Sequence, residues 1–356
     1  MESQRARQSL LVTVCLSAAI TISNAAITID LVNVGNAGNA ADPSTGSTGS
    51  HYGAVSYDYA IGRYEVTNSQ YSSFLNAVAA TDTYGLYNSN MGSAARGGIS
   101  QNGSIGSYTY SLKTNMGDKP VNYVSWFDAA RFSNWMANGQ TTGAQVATTT
   151  ENGAYNLNGA IGAGLTITKN TVNPNTSALI TFWLPSEDEW YKAAYYQPET
   201  MGGPSDGYWN YPTRSDSFPV LATADENGNI SNPGSNVANY YDGADWNGLN
   251  GNVTTVGSAG SLSASFYGTF DQGGNVFEWN DAVTGGGRCI RGGSWDERFM
   301  MSSDQRLGSG DSSEGYVVGF RIASIPEPST AGLVLLAGAG WMVWKRRHDH
   351  AARASF

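Results

Sequence analysis

The chain is poor in cysteine and histidine. Only two of its 356 residues are cysteine, Cys15 and Cys289. Because Cys15 lies in an N-terminal segment that we expect to be removed on export, Cys289 would have no partner for a disulfide within the mature chain. The three histidines are His51, His348 and His350. This distribution excludes a histidine-rich transition-metal site in the main domain.

Charged residues are also fewer than usual. They make up 13% of the chain, against about 25% in a typical globular protein. The net charge is −10, and the few lysines and arginines form no basic cluster before the C-terminal tail. Proteins that bind nucleic acid neutralise phosphates with such clusters. The sequence therefore excludes nucleic acid as a partner, whereas an acidic surface suits divalent cations.

Glycine and aromatic residues are abundant instead. The chain has 44 glycines, and 12% of its residues are aromatic. This composition favours a core built from aromatic clusters that are joined by many tight turns. The predicted fold class is α+β, irregular and loop-rich, with few short helices and strands.

The first 26 residues have the order of a secretory signal peptide. Arg5 and Arg7 precede an apolar run over 10–22, and small residues follow at Ala25 and Ala26. Signal peptidase cleaves after such small residues. We therefore predict that residues 1–26 are removed and that the remainder is exported. The alternative is a buried N-terminal helix.

Three short helices are predicted from apolar spacing and capping residues. The first follows Thr67 or Asn68 as the N-cap, and the second ends at Gly139. The third begins at Ser186, with Glu189 three residues later. This spacing is a capping box, in which each of the two side chains satisfies the other residue's exposed amide.

Strands are predicted where apolar residues alternate. Such alternation covers residues 27–34 and 57–66, and a further short strand is expected over 288–291. The polar, glycine-rich stretches 80–119 and 140–180 are predicted to be long surface excursions.

Six blocks of sequence, taken in order, resemble the formylglycine-generating enzyme family, which is also called the sulfatase-modifying-factor family. They are YEVTNSQY at 64–71, PVNYVSW at 120–126, LPSEDEW at 184–190, GNVFEW at 274–279, RGGSW at 291–295 and GFR at 319–321. The resemblance implies a C-type-lectin-like fold with little regular structure. The predicted domain spans residues 27–325.

The active cleft of this family lies after the GGSW block. Family members use two cysteines, two and seven residues beyond the aromatic residue, to hold copper and to convert a substrate cysteine into formylglycine. The aromatic residue here is Trp295, and the two cysteine positions are Glu297 and Ser302. Neither replaces a thiolate for Cu(I). Copper is therefore not expected, and the neighbouring pair Asp296 and Glu297 could bind a cation or a sugar hydroxyl, or form a solvated loop.

The resemblance also implies calcium sites. One site would use the side chains of Asp271 and Glu278 and the carbonyls of Gly274 and Val276. A second would involve Asn239 and the carbonyl of Tyr240. Hard oxygen ligands of this kind suit calcium. The alternative is that Asp271 caps a turn and that Glu278 pairs with an arginine.

Two further groups allow more than one interpretation. Cys289 is interpreted as a small buried residue on a strand, although the adjacent Arg288 and nearby Arg291 could lower its pKa. The carboxylates of Glu187 and Glu189 lie in the first turn of a predicted helix, where the helix dipole favours negative charge.

The C-terminal residues 326–356 resemble a PEP-type sorting signal, which an exosortase transpeptidase recognises. Pro326, Glu327 and Pro328 precede an apolar run at 331–344, and three basic residues follow it at 345–347. The run is shorter than the roughly 20 residues of an unaided membrane helix. The alternative is an ordinary single-span anchor with the domain outside.

These observations predict an exported protein of the cell envelope, outer surface or extracellular matrix. Signal peptidase and an exosortase-type enzyme would be its processing partners. The leading hypothesis is that the domain is not catalytic and binds a glycan or a protein, such as extracellular polysaccharide or a surface protein. The alternatives are a divergent metal-dependent oxidase and a purely structural matrix protein.

Overall fold

The computed structural model of the chain describes residues 26–44, 49–162, 165–285 and 287–326. The predicted signal peptide up to Ala25 and the tail beyond Pro326, including the apolar run at 331–344, lie outside these residues. Within the described ranges, no helix has both the length and the apolar character that a membrane crossing requires.

The described residues contain four α-helices and few other helical turns. The α-helices are α1 (Asn68–Val78), α2 (Asn90–Ser93), α3 (Trp126–Ala137) and α4 (Glu187–Tyr195). A π-helical turn spans Ala147–Glu151, and 3-10 turns span Glu199–Met201 and Ser261–Ser263. The three predicted helices are therefore present, and α2 was not predicted.

Each of the three longer helices begins with a capping box. In α4 the Ser186 hydroxyl accepts from the Glu189 amide at 3.1 Å, and the Glu189 carboxylate accepts from the Ser186 amide at 2.7 Å. Thr67 and Ser125 cap α1 and α3 in the same way. These contacts satisfy amides that a helix start otherwise leaves unpaired. Gly139 has a φ of +74°, so it turns the chain just after α3.

Fourteen short strands form the described sheets. They are β1 (Leu31–Val34), β2 (Tyr59–Gly62), β3 (Ile99–Asn102), β4 (Thr109–Leu112), β5 (Tyr155–Asn156), β6 (Thr168–Lys169), β7 (Phe182–Trp183), β8 (Val220–Leu221), β9 (Val237–Ala238), β10 (Phe277–Thr284), β11 (Gly287–Arg291), β12 (Leu307–Ser309), β13 (Val318–Phe320) and β14 (Ala323–Ser324). The shortness of these elements confirms the predicted irregular, loop-rich α+β fold.

Two four-stranded sheets organise the domain. One has the order β1-β2-β14-β7 and the other the order β12-β11-β10-β13, and three two-stranded pairs complete the described sheets. In the second sheet β10 pairs in parallel with β13 and antiparallel with β11. Only Arg321 and Ile322 separate β13 from β14, so the chain passes from one sheet to the other within two residues.

The main core is an aromatic cluster between α1, α3 and the sheets. Phe132 of α3 lies 5.4 Å from the Phe74 ring and 5.3 Å from the Phe320 ring, measured between ring centroids. All three side chains are fully buried. Edge-to-face contacts of this kind add to the stabilisation that comes from apolar burial.

The prediction that 80–119 and 140–180 are surface excursions was wrong in part. The first stretch contains α2 and the β3–β4 hairpin, and it places Met91 and Ile99 in the main core. The second contributes Glu151, whose carboxylate forms a buried bidentate ion pair with Arg131 of α3 at 2.7 and 2.9 Å. Parts of these polar, glycine-rich stretches therefore contribute to the core through Met91, Ile99 and Glu151.

A fully buried ion pair joins the two sheets. Two nitrogens of Arg321 lie 2.5 and 2.6 Å from the two carboxylate oxygens of Glu278 on β10. The same guanidinium donates to the carbonyls of Gly62, at the end of β2, and Phe270. The indole of Trp190 on α4 donates to Glu278 at 2.7 Å. One pair of charges therefore links β2, β10, α4 and the β13–β14 connection.

The first prediction concerns this pair. Replacing Glu278→Gln leaves the Arg321 charge buried without compensation, which costs about 3–5 kcal/mol in comparable cases. We expect the free energy of unfolding, measured by urea denaturation in calcium-free buffer, to fall by that amount. Asp30→Asn is the control, because the Arg63–Asp30 pair lies at the surface and such pairs contribute less than about 1 kcal/mol. Equal losses of unfolding free energy in the two variants would contradict a stabilising role for the Glu278–Arg321 pair.

Candidate functional site

The predicted cleft residues lie in the loop after β11. Gly292 and Gly293 begin this loop with φ values of +95° and +72°, in the left-handed region that favours glycine. A Cβ at Gly292 would lie 2.7 Å from the Gln272 carbonyl oxygen. Trp295 follows and is buried, whereas Glu297 is exposed and Ser302 is half-buried.

Trp295 and Asp296 are held by neighbouring side chains. The Arg96 guanidinium lies 4.2 Å from the Trp295 ring centroid, and the Tyr316 ring lies 5.8 Å from it. Asp296 accepts from the Ser294 hydroxyl at 2.7 Å and from the Tyr316 hydroxyl at 2.9 Å. The second bond, together with burial, raises the pKa of Tyr316. Both oxygens of Asp296 are therefore engaged.

The two positions that carry cysteines in the family are not joined. Ser302 donates its hydroxyl hydrogen bond to Asp304. No hydrogen bond within the described residues links Glu297 with Ser302.

An exposed group of aromatic side chains borders this loop, and we call it the aromatic rim. It comprises Phe218, Tyr241, Phe299 and Tyr316, of which Phe299 is 65% exposed and Tyr241 51% exposed. The Arg298 guanidinium lies 4.9 Å from the Tyr241 ring centroid and 5.2 Å from that of Phe299. The rim was not predicted from the sequence. The sequence feature that could have indicated it is the adjacent pair Arg298 and Phe299, shortly after Trp295.

In the first predicted calcium set, Glu278 pairs with an arginine, whereas Asp271 bonds to a distant amide and does not cap a local turn. Both carboxylate oxygens of Glu278 bind Arg321, and Asp271 accepts from the Gly257 amide at 2.5 Å. Burial raises the pKa of Asp271 to about 6, although that amide and Arg321 oppose the shift. As folded, the Glu278 carboxylate does not fit calcium, because a cation there would have to displace a guanidinium.

The second predicted calcium set fits better. The side-chain oxygen of Asn239 is buried and has no hydrogen-bond partner, which is the feature that a cation would satisfy. The Asn239 carbonyl accepts from the Asn275 amide at 2.8 Å. A Cβ at Gly274 would lie only 2.1 Å from that carbonyl oxygen. The fold therefore brings Asn239 next to Gly274 of the first set.

Among the described residues, no group of three or more His, Cys, Asp or Glu side chains is arranged to hold a metal ion. A calcium ion near Asn239 would depend on carboxamide and carbonyl oxygens, with the Tyr240 carbonyl as a further candidate. Both calcium sets remain predictions.

Cys289 is buried on β11, as predicted, but the possible lowering of its pKa was wrong. Burial raises the pKa of the thiol, and the Glu187 carboxylate beside it adds to this effect, while Arg291 opposes it. Glu187 is itself buried and forms ion pairs with Arg291 and Arg306, each at 2.7 Å. Its role therefore extends beyond the helix start, to a contact more than 100 residues away in sequence.

The model of the sulfatase-modifying factor enzyme 1-like domain matches residues 30–325. No curated protein matches the chain at a significant level.

Solved structures also match the chain. CarF has 21% identity and a TM-score of 0.45, and the match covers 84% of this chain and 99% of CarF. Variable protein 1 of Treponema denticola has 18% identity and a TM-score of 0.44, with 85% and 98% covered. PvdO from Pseudomonas aeruginosa has 18% identity and a TM-score of 0.42, with 84% and 92% covered.

The second prediction tests calcium at Asn239. We expect calcium chloride, compared with EDTA, to raise the melting temperature of the wild type, because a ligand at 100 times its Kd stabilises by about 2.7 kcal/mol. Asn239→Ala should abolish this increase. Asn134→Ala is the control, since Asn134 is equally buried but its side chain is fully hydrogen-bonded. An equal increase in all three proteins, or none in the wild type, would refute a site at Asn239.

Proposed function

The chain belongs to the family of sulfatase-modifying factor enzyme 1-like domains, and from this membership we propose that it is an exported, non-catalytic member that binds a glycan or a protein. The observation that carries the proposal is the chemistry at the positions of the family's cysteine pair. Glu297 is exposed there and Ser302 bonds to Asp304. Carboxylate and hydroxyl oxygens are hard donors, whereas Cu(I) prefers thiolates.

Cys289 does not replace the cysteine pair that holds copper in the family. Cys289 is fully buried, and its sulfur lies 3.5 Å from Glu187. Thiol chemistry needs an accessible thiolate, and burial disfavours the thiolate at this position. The described part of the domain therefore lacks an accessible thiol for the family's copper chemistry.

The aromatic rim supports a binding role. Exposed aromatic side chains and arginine are enriched at the centres of binding interfaces. Here Arg298 lies against Tyr241 and Phe299, and the Tyr316 hydroxyl is bonded to Asp296. These contacts restrict the side chains before a ligand arrives, which reduces the entropy lost on binding. We propose that the rim forms the ligand-binding face.

The third prediction concerns this face. We expect the mature protein to bind saturably to a glycan array or to immobilised surface proteins, and Phe299→Ala and Arg298→Ala to weaken that binding at least tenfold. Tyr57→Ala is the control, because Tyr57 is similarly exposed but lies in a separate groove. Unchanged binding in both rim variants would exclude the rim as the binding face.

Stoichiometric copper or iron in the purified protein would instead favour the metal-dependent oxidase.

We also propose that residues 1–26 direct export and that residues 326–356 are a sorting tail removed by an exosortase-type enzyme. The order of motif, apolar run and basic cluster supports this proposal. The mature domain would then belong to the outer surface or the extracellular matrix.

The fourth prediction tests the tail. A C-terminal epitope tag should be absent from the mature surface protein, while a tag inserted after Ala26 should be retained. Glu327→Ala, which alters the Pro-Glu-Pro motif, should preserve the C-terminal tag. If the C-terminal tag persists on the wild-type surface protein, the tail is an anchor and the sorting proposal fails.

A further inference from the structure

A polar cleft lies between the chain that follows α4 and the 235–236 turn. Its volume is about 480 Å³, and its lining includes Gln197, Trp209, Thr213, Arg214, Ser215 and Asn236. We call it the Trp209 cleft. Its size lies within the range of about 300–1,000 Å³ that is usual for small-molecule sites. No local motif in the sequence indicates this cleft.

Trp209 supplies a fixed apolar surface. Its side chain is half-buried, and its indole nitrogen donates to the Gln197 side-chain oxygen at 3.0 Å. Gln197 is buried and in turn donates to the Met201 carbonyl at 2.7 Å. The indole N–H is therefore already satisfied and the ring is held in place. What the ring offers to a ligand is its apolar surface.

Arg214 supplies a positive charge with no acidic partner. Its guanidinium donates to the Ala264 carbonyl at 2.9 Å and to the Ser261 carbonyl at 3.4 Å. In the described part of the chain, no carboxylate forms an ion pair with it. Because two carbonyls hold the group, it is oriented before binding. A guanidinium matches the geometry of a carboxylate, which it can bind through two parallel hydrogen bonds.

The remaining wall is polar and internally bonded. The Thr213 hydroxyl donates to the Asn236 side-chain oxygen at 2.5 Å. The Asn236 side-chain nitrogen donates to the carbonyls of Ser217 and Phe218, and the Ser215 hydroxyl donates to Ser217 at 3.1 Å. These bonds fix the wall, while the Thr213 and Ser215 oxygens retain acceptor capacity for ligand hydroxyls.

We propose that the Trp209 cleft binds an acidic saccharide, namely a sugar unit that carries a carboxylate. The sugar ring would pack on Trp209, its carboxylate would bind Arg214, and its hydroxyls would donate to Thr213 and Ser215. A purely apolar ligand would leave the polar wall and the arginine uncompensated, at a cost in desolvation. A neutral sugar would leave Arg214 without an anion. The ligand contacts proposed here include no side chain of the aromatic rim.

The chain's overall charge narrows the ligand class further. The net charge is −10, so a densely charged polyanion is repelled at long range. A single arginine in the cleft matches one carboxylate per bound segment. The ligand that fits best is therefore a polysaccharide in which uronate units are separated by neutral sugars.

The experiment uses the mature protein and a tetrasaccharide in which glucuronate alternates with a neutral sugar. The matched ligand is the same tetrasaccharide with its carboxylates reduced to alcohols. Isothermal titration calorimetry should show saturable binding of the acidic form and at least tenfold weaker binding of the reduced form. Added salt should weaken the acidic interaction, because it depends on a surface charge.

Variants locate the interaction. Trp209→Ala and Arg214→Gln should each weaken binding of the acidic form at least tenfold. Arg214→Lys should weaken it less, because lysine keeps the positive charge but cannot form the two parallel hydrogen bonds of a guanidinium. The controls are Trp183→Ala and Arg63→Gln. Trp183 is also a half-buried tryptophan whose indole is bonded to a side chain, and Arg63 also donates to a loop carbonyl. Melting temperatures confirm that each variant is folded.

Three outcomes would overturn the proposal. The first is equal binding of the acidic and reduced forms, which would remove the role of Arg214. The second is wild-type affinity in both Trp209→Ala and Arg214→Gln, and the third is no saturable binding of the acidic form. These outcomes can be told apart from a failure of the rim proposal, because that proposal is tested by the ligand binding of Phe299→Ala and Arg298→Ala.

Discussion

The buried ion pair between Arg321 and Glu278 is the interaction on which the domain depends. It lies at the point where the chain leaves β13 and enters β14, so the same guanidinium is shared by both four-stranded sheets. A bidentate pair restricts both position and angle, whereas apolar packing between such short strands would restrict neither well. Burial of the pair is tolerated because carbonyls and an indole satisfy its remaining hydrogen-bonding groups.

Other charges are used in the same way. Arg131 with Glu151 and Arg291 with Glu187 are further buried pairs, each joining a helix to a distant segment. A chain that is only 13% charged thus uses several of its arginines inside the fold. The outer loops are then left with polar and aromatic side chains, and the two surfaces proposed for binding are built from these. The aromatic rim and the Trp209 cleft each combine tryptophan, tyrosine or phenylalanine with one arginine held in place by neighbours.

Sequence alone predicted the features that depend on local chemistry. The start of α4 could be predicted because Ser186 and Glu189 are three residues apart and satisfy each other's amides. Burial of Cys289 was expected because free cysteine is among the most buried residue types, and the residue lies on β11. The pKa of its thiol is raised mainly by burial, and Glu187, which adds to this effect, approaches the thiol only after the chain has folded. The rim and the cleft were missed for the same reason: Phe218 and Phe299, or Gln197 and Asn236, are neighbours only in three dimensions.

The central claim is that the fold is retained without the family's copper chemistry. The most direct test is to incubate the mature protein with copper and then with a cysteine peptide and oxygen, measuring bound copper and aldehyde formation. We expect no stoichiometric copper and no aldehyde, whereas a Glu297→Cys, Ser302→Cys double variant should bind Cu(I) through its restored thiolates. Stoichiometric copper in the wild type, together with conversion of the peptide cysteine into formylglycine, would contradict the account.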